Sequence, residues 1–321
     1  MNKSTHNHFA FALLTLLRGP SGTSSGADKT AAQSADAGKP TDVEIETWRQ
    51  KILHTPQPRK GCFTATYPDA AWREVPCSTE PVKIQIPRRG GALRPAVVGN
   101  GTDFLARVTG HISEAEGSFD SITGLTSESQ TYAGTPTADG YGLQLNTDYF
   151  TTSACSASPN PATCRGWEQF ILSSFGGAGI QYWLSPYGPP GTICPAPHHA
   201  GCMPDQSYSD GWCEYQSTPT DPVQCVVNGL GIHAYPPGVA TPLDIANVHQ
   251  VKLRGRAAGV GGSANDAAIV TYGPSVFSAP GGNFFPDLGS QWQLAEFNIF
   301  GSCCGTRAEF NMARPWTCAS R

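Results

Sequence analysis

Residues 167–184 read WEQFILSSFGGAGIQYWL. Within them, 167–172 and 180–184 are short runs rich in aromatic and β-branched side chains, bounded by glycine. Neither run is long enough for an amphipathic helix, and both have the composition that suits a pleated, half-buried surface. Similar runs recur along the chain: 103–112 (DFLARVTGHI), 118–124 (SFDSITG), 142–150, 248–256 (VHQVKLRGR), 267–272 and 292–300 (WQLAEFNIF). Most have Gly or Asn at one end, and no long segment of 3.6-residue period interrupts the series. The expectation is an all-β chain forming a two-sheet antiparallel β-sandwich, a concanavalin A-like jelly roll. Residues 185–221 are rich in Pro and Cys with little periodicity, which predicts a disulfide-rich insertion.

Composition agrees. The 321 residues include 36 glycines and 27 prolines, and only 14% are charged. A net charge of −4 with no basic block gives no electrostatic footprint for nucleic acid or an anionic membrane. Lys3 followed by the apolar run 9–17 (FAFALLTLL) has the form of a secretory signal, with Ala27 as a cleavage position. The run is too short to span a bilayer, so the mature form is expected to be secreted, extracellular and free of membrane contact. Eleven cysteines fit an oxidising compartment. Cys62 with Cys77, and Cys155 with Cys164, each close a short segment and are predicted to be disulfides. The odd count leaves at least one thiol free or paired between chains.

The predicted organisation is a signal peptide over 1–27, a linker and propeptide-like segment over 28–94, and the β-sandwich domain over 95–321. A low-complexity stretch, 19–42, straddles the first boundary; beyond it 43–53 (VEIETWRQKIL) suits a short helix, and 61–77 forms a small Cys62/Cys77 unit. Common catalytic signatures are missing. The G-x-S-x-G spelling at 22–26 lies in the low-complexity linker, without the strand and helix that such an elbow needs. Cys194, His198, His199 and Cys202 have zinc-ligand chemistry, but disulfide cysteines beside solvated histidines are the favoured reading in an exported chain.

A series of short motifs points further. Residues 117–124 (GSFDSITG), then 167–170 (WEQF), then 180–184 (IQYWL) with Tyr187, then 248–256, then 295–299 (AEFNI) follow one another in order. This order resembles the strands of the glutamic peptidases, the eqolisin family, over about residues 97–313. The resemblance implies a β-sandwich made with an N-terminal propeptide, Glu296 as the catalytic glutamate and Gln169 as the catalytic glutamine, with Gln181 as rival. It also implies a substrate wall containing Trp167, Tyr182 and Trp183. The sequence departs from the family in lacking the glycine expected after the glutamine and in running into 301–304 (GSCC) where the family has further acids.

The chemistry is coherent. A carboxylate takes a proton from water as that water attacks a peptide carbonyl, then returns it to the leaving amine. A carboxamide donates to the developing oxyanion. No metal or cofactor is required. The expected function is that of a secreted, acid-acting, monomeric endopeptidase on polypeptide substrates. The alternative is a non-catalytic extracellular β-sandwich binding module for a glycan or cell-surface polymer. Apart from any function, the plain reading of the two residues is that Glu296 is an ordinary outward strand residue and Gln169 pairs with a neighbouring strand's side chain.

Overall fold

The computed structural model describes residues 13–16, 40–78, 104–202, 208–259, 265–282, 284–302 and 304–312, the first stretch by its backbone alone. In chain order the elements that matter are β1 (Leu13–Leu16), helix α1 (Asp42–Leu53), β2 (Cys62–Thr66), β3 (Arg73–Val75), β4 (Phe104–Arg107), β5 (Glu114–Ser118), β6 (Leu125–Tyr132), β7 (Thr135–Ala138), β8 (Tyr141–Thr147), β9 (Arg165–Ser173) and β10 (Gly177–Gly188). They continue with β11 (His198–His199), β12 (Trp212–Tyr215), β13 (Val223–Asn228), β14 (Ile232–His233), β15 (Val251–Arg256), β16 (Ala267–Tyr272), β17 (Ser275–Pro280), β18 (Leu294–Gly301) and β19 (Glu309–Met312).

These strands build the expected all-β sandwich. One sheet has seven strands in the order β1-β5-β15-β16-β17-β2-β3, and the other runs β11-β12-β13-β10-β9-β8-β18-β4 with β14 beside β10. A small third sheet is β19-β6-β7. The two large sheets bury one continuous apolar layer, to which Phe170, Tyr182 and Phe297 contribute from one side and Leu253, Val270 and Ala279 from the other. Two glycines set the closeness of the approach. A Cβ on Gly117 would lie 2.2 Å from the Phe297 ring, and one on Gly255 would lie 2.4 Å from the Phe170 ring. Each phenylalanine therefore docks where the opposite strand has no side chain.

Four disulfides lie among the described residues: Cys62–Cys77, Cys155–Cys164, Cys194–Cys225 and Cys202–Cys213. The first two are the predicted pairs, with Cα separations of 5.2 and 5.7 Å. The last two tie the 185–221 insertion to β12 and β13. Cys304 is disulfide-bonded as well.

Several boundaries differ from the sequence reading. The strand expected at 118–124 lies earlier, at β5, because the chain leaves the sheet after Ser118 so that Phe119 can pack on Phe297 at 5.4 Å between ring centroids. The strand expected at 248–256 starts at Val251, since Ile245–Gln250 forms a 3-10 turn whose N-cap is Asp244. The Cys62/Cys77 unit is not separate from the sandwich. β2 pairs with β17 from Ser275↔Thr66 to Ser278↔Phe63, so the seven-stranded sheet takes strands from before residue 95. Four residues of the apolar run 9–17 likewise pair as β1 with β5. The predicted low-complexity stretch from residue 19 as far as 39 lies outside the described residues. Among the described residues, no helix is long and apolar enough to cross a membrane.

Candidate functional site

Strand alternation divides β9 between two environments. Phe170 and Leu172 enter the layer between the sheets, and so does Glu168 by its parity, while Trp167, Gln169 and Ile171 point to the opposite face. The register then carries this second face across the sheet. Glu296 on β18 lies directly opposite Asn146 on β8, and Asn146 lies opposite Gln169 on β9. Gln169 lies opposite Gln181 on β10, which lies opposite Asn228 on β13. Five polar side chains from five adjacent strands thus form one cross-strand row. Asn298 and Gln144 form a second, shorter row on the same face, again directly opposite one another. The row is buried, with Glu296, Asn146, Gln169 and Gln181 all 0% exposed.

Gln169 is held from two sides. The Trp183 indole N–H donates to Gln169 Oε1 at 2.8 Å, and Gln169 Nε2 donates to Gln144 Oε1 at 3.0 Å. An indole can only donate, so the orientation of the Gln169 amide is fixed chemically. Its second N–H lies outside these two bonds. Trp167 donates its indole N–H to the Thr147 carbonyl at 2.9 Å, and the Glu168 amide donates to Thr147 Oγ1 at 3.0 Å. These bonds fix β9 against β8 beside the row. Trp167, Trp183 and Tyr215 form an apolar wall with the Cys202–Cys213 bridge, against which Tyr149 and Tyr208 pack.

Glu296 and Gln169 are separated by one intervening strand, roughly 10 Å between Cα atoms at about 4.8 Å per strand. Asn146 occupies that intervening position. Neither polar atom of its side chain has a hydrogen-bond partner, and the same holds for both polar atoms of Asn298. A buried amide without a partner costs about 1–3 kcal/mol, so each of the two is a place where a further hydrogen-bond partner would be stabilising.

The sequence reading named six residues, and five of them share this face: Glu296, Gln169, Gln181, Trp167 and Trp183. Tyr182 does not. It lies in the layer between the sheets, edge-on to Phe284 and Phe285, because three consecutive strand residues cannot face one way. Asn146, Gln144, Asn298 and Asn228 were not anticipated. The signal for the first two is the stretch 143–146 (LQLN), where polar amides alternate with leucines as a strand with one apolar and one polar face requires. The Cys194/His198/His199/Cys202 set is not a ligand set, since both cysteines are in disulfides.

A second group of acids lies on the other side of the sheet. Glu168 is fully buried with both carboxylate oxygens lacking a hydrogen-bond partner, and burial together with nearby Asp266 pushes it well above the usual carboxylate range. Burial pushes Asp266 up to about 6, against hydrogen bonds from the Ala258 N–H and the Tyr182 side chain. These groups face away from the amide row and serve the interior.

No protein-family model matches the chain, and neither a curated protein nor a solved structure does.

Proposed function

We propose that the chain is a secreted, acid-acting endopeptidase in which Glu296 activates water and Gln169 stabilises the oxyanion. The observation that carries this reading is the cross-strand row. Glu296 and Gln169 stand on one face, one strand apart, with the Gln169 carbonyl engaged by Trp183 so that an amide N–H is available to a third partner. A water between the two gives its proton to the Glu296 carboxylate as its oxygen bonds to the scissile carbonyl carbon. The Gln169 N–H then meets the carbonyl oxygen as charge develops on it. Collapse of the tetrahedral species expels the amine, which takes the proton back from Glu296. Uncharged amides at Asn146, Gln181 and Asn228 surround the reaction without adding a competing acid.

The aromatic wall of Trp167, Trp183 and Tyr215 suits a hydrophobic side chain next to the scissile bond. The row is buried along its length, so a polypeptide reaches it only when the overlying chain parts. Four disulfides suit an extracellular setting.

The test is casein digestion from about pH 2 to about pH 7, with Glu296→Gln as control. Cleavage at acid pH that Glu296→Gln eliminates supports the reading. Digestion surviving in that variant overturns it, as does retention of a glycan or cell-surface polymer with no turnover of any polypeptide.

A further inference from the structure

We propose that Asn146, with Asn298 beside it, holds an ordered water against Glu296 and so positions the nucleophile; this rests on the peptidase reading above. Asn146 is placed for the task. It lies directly opposite Glu296 on one side and Gln169 on the other, at about 5 Å between Cα atoms in each pair. Asn298 follows Glu296 by two residues and shares its face. Both asparagines are buried, at 0% and 5% exposure, and all four of their side-chain polar atoms lack a hydrogen-bond partner.

The chemistry of these groups selects what completes them. Each amide offers one carbonyl acceptor and two N–H donors, and the carboxylate only accepts. A water matches that set, because it accepts from an asparagine Nδ2 and donates both to Glu296 and to an asparagine Oδ1. Small buried polar voids with two to four such partners are where ordered water sits. In the reaction, the water transfers one proton to Glu296 as its oxygen bonds to the carbonyl carbon. The carbonyl π pair moves to oxygen, held by Gln169. When the C=O bond re-forms and the C–N bond breaks, the nitrogen takes the proton from Glu296. The asparagine amides hold the attacking oxygen and the remaining proton throughout, and no co-reactant is needed.

Two measurements on the full chain test this. Diffraction at about 1.2 Å or better should show one water within hydrogen-bond distance of both the Asn146 amide and the Glu296 carboxylate. Its absence overturns the proposal whatever the activity. In kinetics, Asn146→Leu should lower kcat by about 10²–10³ with little change in KM. Asn146→Asp, close to isosteric and usable if the leucine variant does not fold, puts a second carboxylate opposite Glu296. The pair then shares protons, and the acid limb of the pH profile should move by about one unit or more. An unchanged kcat in the first variant or an unchanged acid limb in the second overturns the water-holding role. If the water is present but the wild-type chain cleaves no polypeptide at any pH, the peptidase reading fails and the nucleophile role with it, while the water site stands.

Discussion

The two large sheets each carry a polar face turned away from their shared core, and the two faces are built on opposite principles. On the seven-stranded sheet the face is charged and paired. Arg256 and Glu114 are directly opposite across β15 and β5, as are Arg254 and Glu116. Arg256 Nε reaches Glu114 at 2.8 Å, Arg254 Nη2 reaches Glu116 at 2.9 Å, and Lys252 lies 3.7 Å from both Glu116 and Glu46 of α1. Helix α1 seals this face by packing Trp48, Ile52 and Leu53 on Ala65, Ala267, Ile269 and Val276. On the nine-stranded sheet the corresponding face is a row of neutral amides beside one glutamate, and two of the amides have no partner. Buried charges that face opposite charges are costly to leave single, because removing one partner strands the other in the interior. A buried amide left without a partner costs stability until a partner supplies the bond.

The sharpest way to break this contrast is to remove function from one face and stability from the other. On the proposed peptidase reading, Glu296→Gln, which is nearly isosteric, should abolish casein cleavage while the thermal midpoint stays close to wild type. Gln169→Ala should lower kcat by about 10²–10³. Equal losses of stability in these variants and in the charged-face variants would remove the distinction.

On the charged face, Arg256→Met should cost about 3–5 kcal/mol in urea unfolding, because Glu114 is left buried with only the more distant Arg254 at 3.5 Å. The same change also releases the Arg256 bond to the Leu53 carbonyl at the end of α1, 2.7 Å long. KM and kcat measured below the melting range should be unchanged. Replacing Glu114 and Arg256 together by apolar residues should recover most of the loss.

How much of this was legible in the sequence follows from the range of the forces involved. Helix 43–53, the short disulfides and the strand at 167–172 depend on neighbours close in the chain, and the sequence reading anticipated each. The joining of β2 to β17 was not legible, because it is a pairing across more than 200 residues that no local pattern records. Asn146 was missed for the same reason. Its importance lies in standing opposite Glu296 and Gln169 at once, and register between distant strands is decided by the whole sheet. Tyr182 was misplaced by reading an aromatic run as one surface when a strand presents it as two.

Acidity should act on three buried carboxyls that lie on neither face. Glu168, Asp266 and Glu128 are all raised when folded, Glu128 to about 8 through burial first and the Asp139 charge second. In the unfolded chain such carboxyls ionise near pH 4. Above that pH the folded state binds more protons than the unfolded state, so stability falls as pH rises. The contribution is complete below about pH 4, and the Asp266 part is lost by about 6, the Glu128 part by about 8. Asp266 accounts for on the order of 2–3 kcal/mol. Thermal midpoints across this range should fall with pH, and Asp266→Asn should flatten the part between about 4 and about 6. A midpoint that rises across this window in the wild type would contradict the assignment.

The smallest expected effect isolates α1, and with it the separation of the two faces. Thr41 caps the helix by accepting from the Glu44 N–H at 3.3 Å, while the Glu44 carboxylate accepts from the Thr41 N–H at 2.8 Å. This reciprocal capping box satisfies donors that the first turn leaves open. Thr41→Ala removes one side of it and should cost about 1 kcal/mol, a fall of about 2–4 °C in the thermal midpoint for a domain of this size. Because α1 covers the charged sheet and not the amide row, the peptidase reading expects kcat and KM not to move. A rise in activity on loosening this cap would mean that α1 governs access to Glu296, and the two faces would have to be treated as one coupled unit. An unchanged activity with a lowered midpoint would leave the charged face as scaffold and the amide row as the site.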